Sequence, residues 1–441
     1  MKPNPRVFLS AGEASGDAYG ATLIAALRER LPGAIFTGLG GSQMEEAGQE
    51  RVVRAEDVAV MGLTEILRHI PRIYGSYRKL VASIRSKRPD IAVLIDFPDV
   101  NFRLAKHLRR AGVPVVWFVS PQLWAWKRGR LRWVQERVDK MLVIFPFEER
   151  FYRERGVDAE FVGHPLAGTV QLSMSREAYA EVHRLDPAKT WIALLPGSRW
   201  KEIRGNLPAM HELAMSDLIT SSAAYTTFDG DTTRQPDDPA AHTRYEFLLP
   251  VASTIGADAL HRYIGELNAE HLKYFGPEAS SLRLTLVPDA PEALFHARAS
   301  VVASGTATVL AAIVGNPFVV VYRVSALTFA LAKRLIEYPE ELAGIEDDAG
   351  NLPVAMVNLI AGRRVVPELL QGRFTAANVA TELGRILVEG PEREAQIAGL
   401  AEVRRSLEAA SSTGGSPVGR VAEAILMLLE RPPASSSKAV N

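Results

Sequence analysis

Cysteine is absent from the 441 residues, which removes disulfides, thiolate zinc sites and cysteine nucleophiles at once. Charge of one sign is also missing. Lys and Arg total 51 against 51 Asp and Glu, so no global field argues for a nucleic-acid partner, and only a local basic patch could. No apolar run approaches the roughly 18 residues that a membrane-spanning helix needs. Met1–Arg6 leads straight into strand-like Val7–Ser10, without the basic and apolar regions of a secretory leader. The first strand is followed by no G-x-G-x-x-G, so a dinucleotide-binding fingerprint is unsupported. Asp229–Thr233 has acidic spacing but lacks the terminal glutamate of a calcium loop. What remains is a soluble, cytoplasmic chain of about two domains by length, with peripheral membrane contact left open.

The stretch that organises the rest is Ile95-Asp96-Phe97-Pro98-Asp99-Val100-Asn101. It follows the apolar run Ile91–Leu94, which reads as a buried parallel strand. Phe102, Leu104, Ala105 and Leu108 then have helical spacing. Two carboxylates therefore sit between strand end and helix start, where open α/β sheets bind ligands. A carboxylate there is placed to take a proton from a bound nucleophile. Capping the helix is an equal alternative for Asp99 and Asn101; Asp96 lies before the cap and is the better base candidate.

The same strand-loop-helix unit recurs along the chain. Val7–Ala11 is a first strand, and Gly12-Glu13-Ala14-Ser15-Gly16-Asp17 is a turn before the helix Tyr19–Glu29. Two glycines there either let a ligand reach a helix N-terminus or merely make a tight turn. Glu13 is the harder residue to assign to packing. Leu63 to about Arg88 is a long helix with apolar and basic positions; it is either a core helix with a solvated basic face or an element facing anionic lipid. Trp124 and Trp126 stand beside Lys127, Arg128, Arg130 and Arg132, a pattern fitting nucleic acid, sugar or membrane, or core tryptophans with cations in water. His164 before Pro165 is structural more often than catalytic. In the second half, Thr190–Leu195 is a strand, and Pro196-Gly197-Ser198-Arg199 is its turn. Free backbone N–H groups beside an arginine suit a diphosphate, although Arg199 also fits a surface salt bridge. Ala299–Ala303 is a further strand. Ser304-Gly305-Thr306-Ala307-Thr308 opens a helix, where small hydroxyls bind phosphate or cap. Phe318–Tyr322 is the next strand. Residues 215–244 read as a polar loop.

The predicted architecture is α/β: two Rossmann-like domains with mostly parallel sheets facing a central cleft. The first domain spans 1–167 and the second 168–385, with closing helices over 386–431 and a disordered tail over 432–441. That layout alone serves nucleotide-sugar transfer, epimerisation or binding.

The chain resembles the lipid-A-disaccharide synthases, glycosyltransferases of family 19 with the GT-B fold. The resemblance rests on Ala11–Asp17, Met61-Gly62-Leu63-Thr64-Glu65, Ile95–Asn101, Ser120–Trp126, Gly163-His164-Pro165, Leu195–Arg199, Ser304–Thr308, Val319–Tyr322, Asn358–Arg363 and Pro367–Gln371. It implies transfer of a sugar from UDP-2,3-diacylglucosamine to 2,3-diacylglucosamine 1-phosphate with inversion, without metal or cofactor. It also implies work at the inner face of the inner membrane; a homo-oligomer is left open. Carried over residue by residue, Asp96 is the base and Arg199 neutralises the departing diphosphate. Gly197, Ser198, Ser304, Gly305, Thr306 and Thr308 hold the UDP. Glu13, Ser15, Gly16, Asp17, Asp99, Asn101, Met61, Trp124 and Trp126 line the acceptor side. Trp124 and Trp126 are expected on one membrane-facing surface with the helix near 63–88.

The chain departs from the family pattern where Leu-Glu-Ala would follow Thr-Ala-Thr. Here Val309-Leu310-Ala311 stands, and Leu310 cannot accept hydrogen bonds from ribose hydroxyls. The lost bonds are worth about 1.5–3 kcal/mol. Residues 215–244 and Glu337–Asp348 are further departures, expected as surface loops. A UDP-sugar 2-epimerase of the same fold, or a non-catalytic relative, are the competing readings.

Overall fold

Runs such as Ile91–Ile95 and Thr190–Leu195 are apolar on both faces, a composition suited to strands covered on both sides. In the computed structural model they are central strands of two parallel sheets. The structure describes residues 2–58, 63–168, 170–215, 245–252, 254–275, 284–325, 328–330, 336, 350–408 and 415–430. The chain forms two units. One contains, in the main, the residues up to Gly168 and those from Leu407 on; the other runs from Thr169 to Ser406.

In the first unit the elements follow as β1 (Arg6–Ala11), α1 (Ala14–Arg30), β2 (Ile35–Gly40), α2 (Ser42–Glu46), β3 (Glu50–Arg54), α3 (Leu63–Ser86) and β4 (Ile91–Ile95). Next come α4 (Pro98–Arg110), β5 (Val115–Phe118), α5 (Leu131–Arg137), β6 (Lys140–Val143), α6 (Pro146–Arg153) and β7 (Ala159–Phe161). The sheet order is β3-β2-β1-β4-β5-β6-β7. Chain order reverses between β1 and β4, whose ends meet at Ala11 opposite Ile95. Its core includes Leu9, Val93, Leu94, Trp117 and Phe118, all without exposure.

In the second unit α7 (Arg176–His183), β8 (Thr190–Leu195), α8 (Trp200–Met215), β9 (Tyr245–Pro250), α9 (Ala257–Phe275), β10 (Leu284–Val287) and α10 (Ala290–His296) come first. They are followed by β11 (Ala299–Ala303), α11 (Thr306–Val314), β12 (Phe318–Tyr322), α12 (Met356–Ala361), β13 (Glu368–Leu370) and α13 (Ala376–Leu387). The sheet order is β10-β9-β8-β11-β12-β13, with the reversal between β8 and β11. Ile192, Leu194, Val301, Val319 and Phe374 belong to one apolar cluster.

The C-terminal helices, expected as one closing segment, are divided. Most of α14 (Pro391–Glu408) goes with the second unit, and α15 (Pro417–Glu430) goes with the first. There the Arg420 guanidinium donates to the Val162 carbonyl at 2.6 Å. The strands expected at Thr190–Leu195, Ala299–Ala303 and Phe318–Tyr322 are observed at those bounds.

Candidate functional site

Ligands of open parallel sheets bind beyond the strand ends where chain order reverses. In the first unit that point is the end of β1 and β4, which places the Gly12–Glu13 turn beside the Asp96 turn. Asp96 and Phe97 both take left-handed backbone angles, with φ of 44° and 47°. Such a conformation costs a non-glycine residue roughly 1–2 kcal/mol, so the surroundings must impose it. Asn101 is the main restraint. It is fully buried, and its Nδ2 donates to the carbonyls of Asp96 at 2.7 Å and of Ile95 and Ser10 at 3.3 Å. Its Oδ1 accepts from Ser10 Oγ at 2.6 Å. The Asp96 N–H is fixed by the Phe118 carbonyl at 3.0 Å. Above the turn, the Phe97 ring lies over Gly12, where any Cβ would collide with the ring carbons. The close approach of the Phe97 ring leaves no room for a side chain at residue 12.

Tyr19, which sequence reasoning did not single out, belongs to this turn. Its hydroxyl pKa is pushed up to about 12, first by burial and then by the charge of Asp96. An aromatic residue on the buried side of a first helix gives no local sign of such a role.

Several residues expected at the acceptor are scaffold instead. Asp17 is buried, and its carboxylate accepts from the N–H groups of Gly41, Gln43 and Met44 at 2.7, 3.1 and 3.2 Å. It ties α1 to the start of α2 and has little lone-pair capacity left for substrate. Gly16 is buried where a Cβ would lie 3.3 Å from that of Ala11, so it serves close packing of α1 on the sheet. Asn101 holds the turn and does not line a surface. Trp124 is buried and donates from Nε1 to Glu148 Oε1 at 3.1 Å. It therefore does not share a membrane-facing surface with Trp126, which is 45% exposed with Lys127 Nζ 4.2 Å from its ring centre. Ser15 is exposed and Glu13 half-buried at the start of α1. Asp99 is exposed and paired with Arg130 at 2.8 Å. Met61 lies outside the described residues, as do the side chains up to residue 72, most of the loop expected over 215–244, the stretch Glu337–Asp348 and the tail.

Buried polar groups elsewhere in this unit are structural. Glu148 accepts from Ser120 Oγ at 2.5 Å and from Trp124, and burial pushes its carboxyl up to about 7. His164 is buried, accepts the Leu166 N–H at 3.2 Å on Nδ1, and is pushed down to about 3 by burial. It is a neutral core histidine.

The second unit repeats the arrangement, with the turns after β8 and β11 meeting at the reversal. Gly197 has φ of 122°, and a Cβ there would lie 2.6 Å from that of Glu202. The expected free N–H groups are engaged. Glu202 Oε2 accepts from the N–H of Ser198 at 2.9 Å and of Arg199 at 3.3 Å, because a glutamate in the first turn reaches back to the helix start. Arg199 is half-exposed with Nη1 3.7 Å from Glu202 Oε1, so the salt bridge foreseen as its alternative role is present.

After β11, Gly305 precedes α11 with φ of 149° and no side-chain cap, and Thr306 is exposed. Thr308, expected at the UDP, is instead fully buried and donates to the Gly305 carbonyl at 2.8 Å. Ser304 Oγ donates to the Val354 carbonyl at 2.9 Å. Gly305 and Thr306 remain exposed at the start of α11, which has no side-chain cap. Leu310 is half-buried on α11.

A model of the lipid-A-disaccharide synthetase family matches residues 7–224 and 268–414. The chain belongs to that family. Curated lipid-A-disaccharide synthases are similar throughout. One from Acidobacterium capsulatum is 49% identical, covering 98% of both chains. Another from Koribacter versatilis is 44% identical, covering 97% of this chain and 99% of the relative. Among solved structures, the calicheamicin glycosyltransferase CalG4 matches with a TM-score of 0.53 at 15% identity, covering 98% of this chain and 99% of that one. The glycotransferase of kitacinnamycin gives 0.54 at 13% identity, covering 97% and 99%. These likenesses show the GT-B fold. A putative UDP-N-acetylglucosamine 2-epimerase from Listeria monocytogenes shares it at 0.50 and 12% identity, covering 96% and 95%. Fold alone therefore does not separate transfer from epimerisation, and membership of the lipid-A-disaccharide synthetase family does.

Proposed function

We propose that the chain condenses UDP-2,3-diacylglucosamine with 2,3-diacylglucosamine 1-phosphate, yielding a β-1,6-linked disaccharide 1-phosphate and UDP. The acceptor 6-hydroxyl oxygen bonds to the donor C1 from the face opposite the diphosphate, so configuration inverts. Its proton passes to Asp96, and the electron pair of the breaking C1–O bond leaves on UDP. Arg199 offsets the charge that develops on the diphosphate. The reading needs no metal or cofactor, because a carboxylate and a guanidinium meet the two charge demands. Gly197, Ser198, Gly305 and Thr306 are the proposed UDP contacts, and Glu13 and Ser15 the acceptor contacts.

The observation that carries this reading is the Asp96 turn itself. A strained pair of left-handed residues at a sheet reversal, held by a buried asparagine, is costly unless the presented group is used. No helix among the described residues is long and apolar enough to cross a membrane. We assign peripheral contact with the inner membrane face to exposed Trp126 with Lys127 and to Tyr74, Arg78 and Arg85 on α3, also exposed. This suits acylated substrates.

The test is turnover with both acylated substrates, comparing the wild type with Asp96→Asn. Loss of at least a hundredfold in kcat with the fold intact is expected, and equal rates would remove Asp96 from the mechanism. Incubation with UDP-N-acetylglucosamine alone is expected to leave it unchanged; formation of its 2-epimer would favour the other reading.

A further inference from the structure

Along α4, Asp99, Phe102, Arg103, Lys106, His107 and Arg110 recur at three- and four-residue spacing and share one face. That face forms one wall of a cavity of about 360 Å³. Arg130, Trp133 and Arg137 supply the opposite wall, and Tyr77 of α3 contributes to the rim. Five permanently charged cations thus line one small concavity. The single carboxylate among the described lining residues is Asp99, which Arg130 pairs with at 2.8 Å.

Concentrating like charge on a concave wall raises its potential and its affinity for an anion. His107 responds to this field. Its pKa lies below the usual range, first through burial and then through the charges of Arg85, Arg110 and Lys106. The wall is also aromatic: the guanidiniums of Arg130 and Arg137 lie 5.6 and 5.0 Å from the Trp133 ring centre. Cations stacked on aromatic rings beside further arginines suit a phosphate attached to an organic body.

We propose that this cavity is the subsite for the phosphate monoester of the acceptor sugar. The proposal rests on the glycosyl-transfer reading above. The cavity begins at Pro98 and Asp99, two and three residues beyond Asp96. A pyranose whose 6-hydroxyl reaches Asp96 carries its 1-phosphate on the other side of the same ring, one sugar-width away. Arg103 lies one turn along α4 from Asp99, at about 1.5 Å of rise per residue, and Lys106 and Arg110, further down the helix, add to the positive field of the cavity. A concave site of one headgroup's size, whose lining starts two residues along the chain from Asp96, suits a bound substrate better than the planar array of headgroups on a bilayer.

The exposed residues Arg103, Lys106 and Arg110 can be changed with little effect on packing. The test uses the triple variant Arg103→Ala/Lys106→Ala/Arg110→Ala, with single Arg110→Ala as a milder companion. Calorimetry with glucosamine 1-phosphate and with glucosamine measures binding without turnover. The wild type is expected to favour the phosphorylated sugar, and the triple variant to bind it about 30-fold more weakly. Turnover in mixed micelles with the acylated acceptor, with and without its 1-phosphate, is expected to show the preference ratio falling by a similar factor, through KM. A ratio unchanged in both assays would overturn the subsite. So would loss of binding to phosphatidylglycerol vesicles alone, which would assign these cations to the bilayer. Phosphate-dependent binding without any glycosyl transfer would support the cavity while refuting the reading beneath it.

Discussion

Replacing Asn101 with alanine tests whether the Asp96 turn is held for chemistry. Among the described residues the Asn101 side chain hydrogen-bonds to the turn and to β1, accepting from one group and donating to three. Alanine leaves buried carbonyls and the Ser10 hydroxyl short of partners, each such loss costing about 1–3 kcal/mol. Some loss overlaps as the turn relaxes, so the expected destabilisation is about 2–4 kcal/mol in all. Relaxation also relieves the left-handed angles at Asp96 and Phe97, worth roughly 1–2 kcal/mol each, so the turn has a driving force to move. A shift of about 1 Å in a reacting group costs about a hundredfold in rate. Asn101→Ala is therefore expected to lower kcat by ten- to a hundredfold and to change the donor KM less than twofold. Asn101→Asp keeps the shape but sets a carboxylate against three carbonyl oxygens, and it is expected to be at least as damaging. The assay is steady-state turnover beside urea denaturation on the same preparations. A variant that is destabilised as expected yet keeps kcat within twofold would show that the turn's geometry does not matter to the reaction.

The remaining predictions concern other positions. Glu148 keeps its proton up to pH about 7 in the folded chain but only to about 4.5 when unfolded. Its contribution is therefore complete below pH 4.5 and is lost as pH rises to 7, by about 3 kcal/mol. Urea titrations from pH 5 to 7.5 should show the gap between wild type and Glu148→Gln changing by most of that amount, and a flat difference would refute the assignment. Leu310→Glu restores the hydrogen-bonding partner that the family pattern places on α11, and it should lower the donor KM at least threefold; no change would count against a ribose contact there. Glu202→Gln removes a negative charge from the Ser198 and Arg199 N–H groups, and a surface charge term of up to about 1 kcal/mol should tighten UDP two- to fivefold by calorimetry. Weaker UDP binding would mean that the carboxylate orders the site. Trp126→Ala should weaken sedimentation with anionic vesicles without lowering thermal stability, whereas Trp124→Phe should lower stability and leave vesicle binding intact; the opposite pattern would reverse their assignments.

The central strands were legible because each is a short apolar run bounded by turn residues, and such runs have few other ways to be buried. The edge strand of the first sheet, β3, was not. Glu50–Arg54 carries charge at both ends and is largely accessible, so its extended form is set by pairing with Thr37–Gly40. Among site residues, strand-end position identified Asp96 and Arg199 as candidates. The acceptor-side assignment of Asp17 failed because its partner Gly41 lies 24 residues away in sequence, and that of Asn101 because its side chain turns back onto Asp96 as well as across to Ser10, 91 residues away. Trp124 was misplaced for the same reason, since its partner Glu148 follows 24 residues later. Windowed periodicity contains no information about such pairs.

These cases share one physical basis. A buried polar side chain must be satisfied, and the nearest unsatisfied groups beyond a strand end are backbone atoms of the turns. Asp17, Asn101 and Thr308 are buried and each meet such an atom, so they shape the site while remaining out of reach of a substrate. Ser15, Thr306 and Arg199 are exposed on the same turns, and with Asp96, held at a left-handed backbone angle, they are the residues proposed above for the chemistry. A signature motif in this fold therefore mixes two populations, and burial rather than residue type tells them apart. The distinction predicts how substitutions behave. Changes at the first group should lower stability and rate together, whereas changes at Asp96 or Arg199 should lower rate alone, and paired measurements of melting and turnover across both groups decide it.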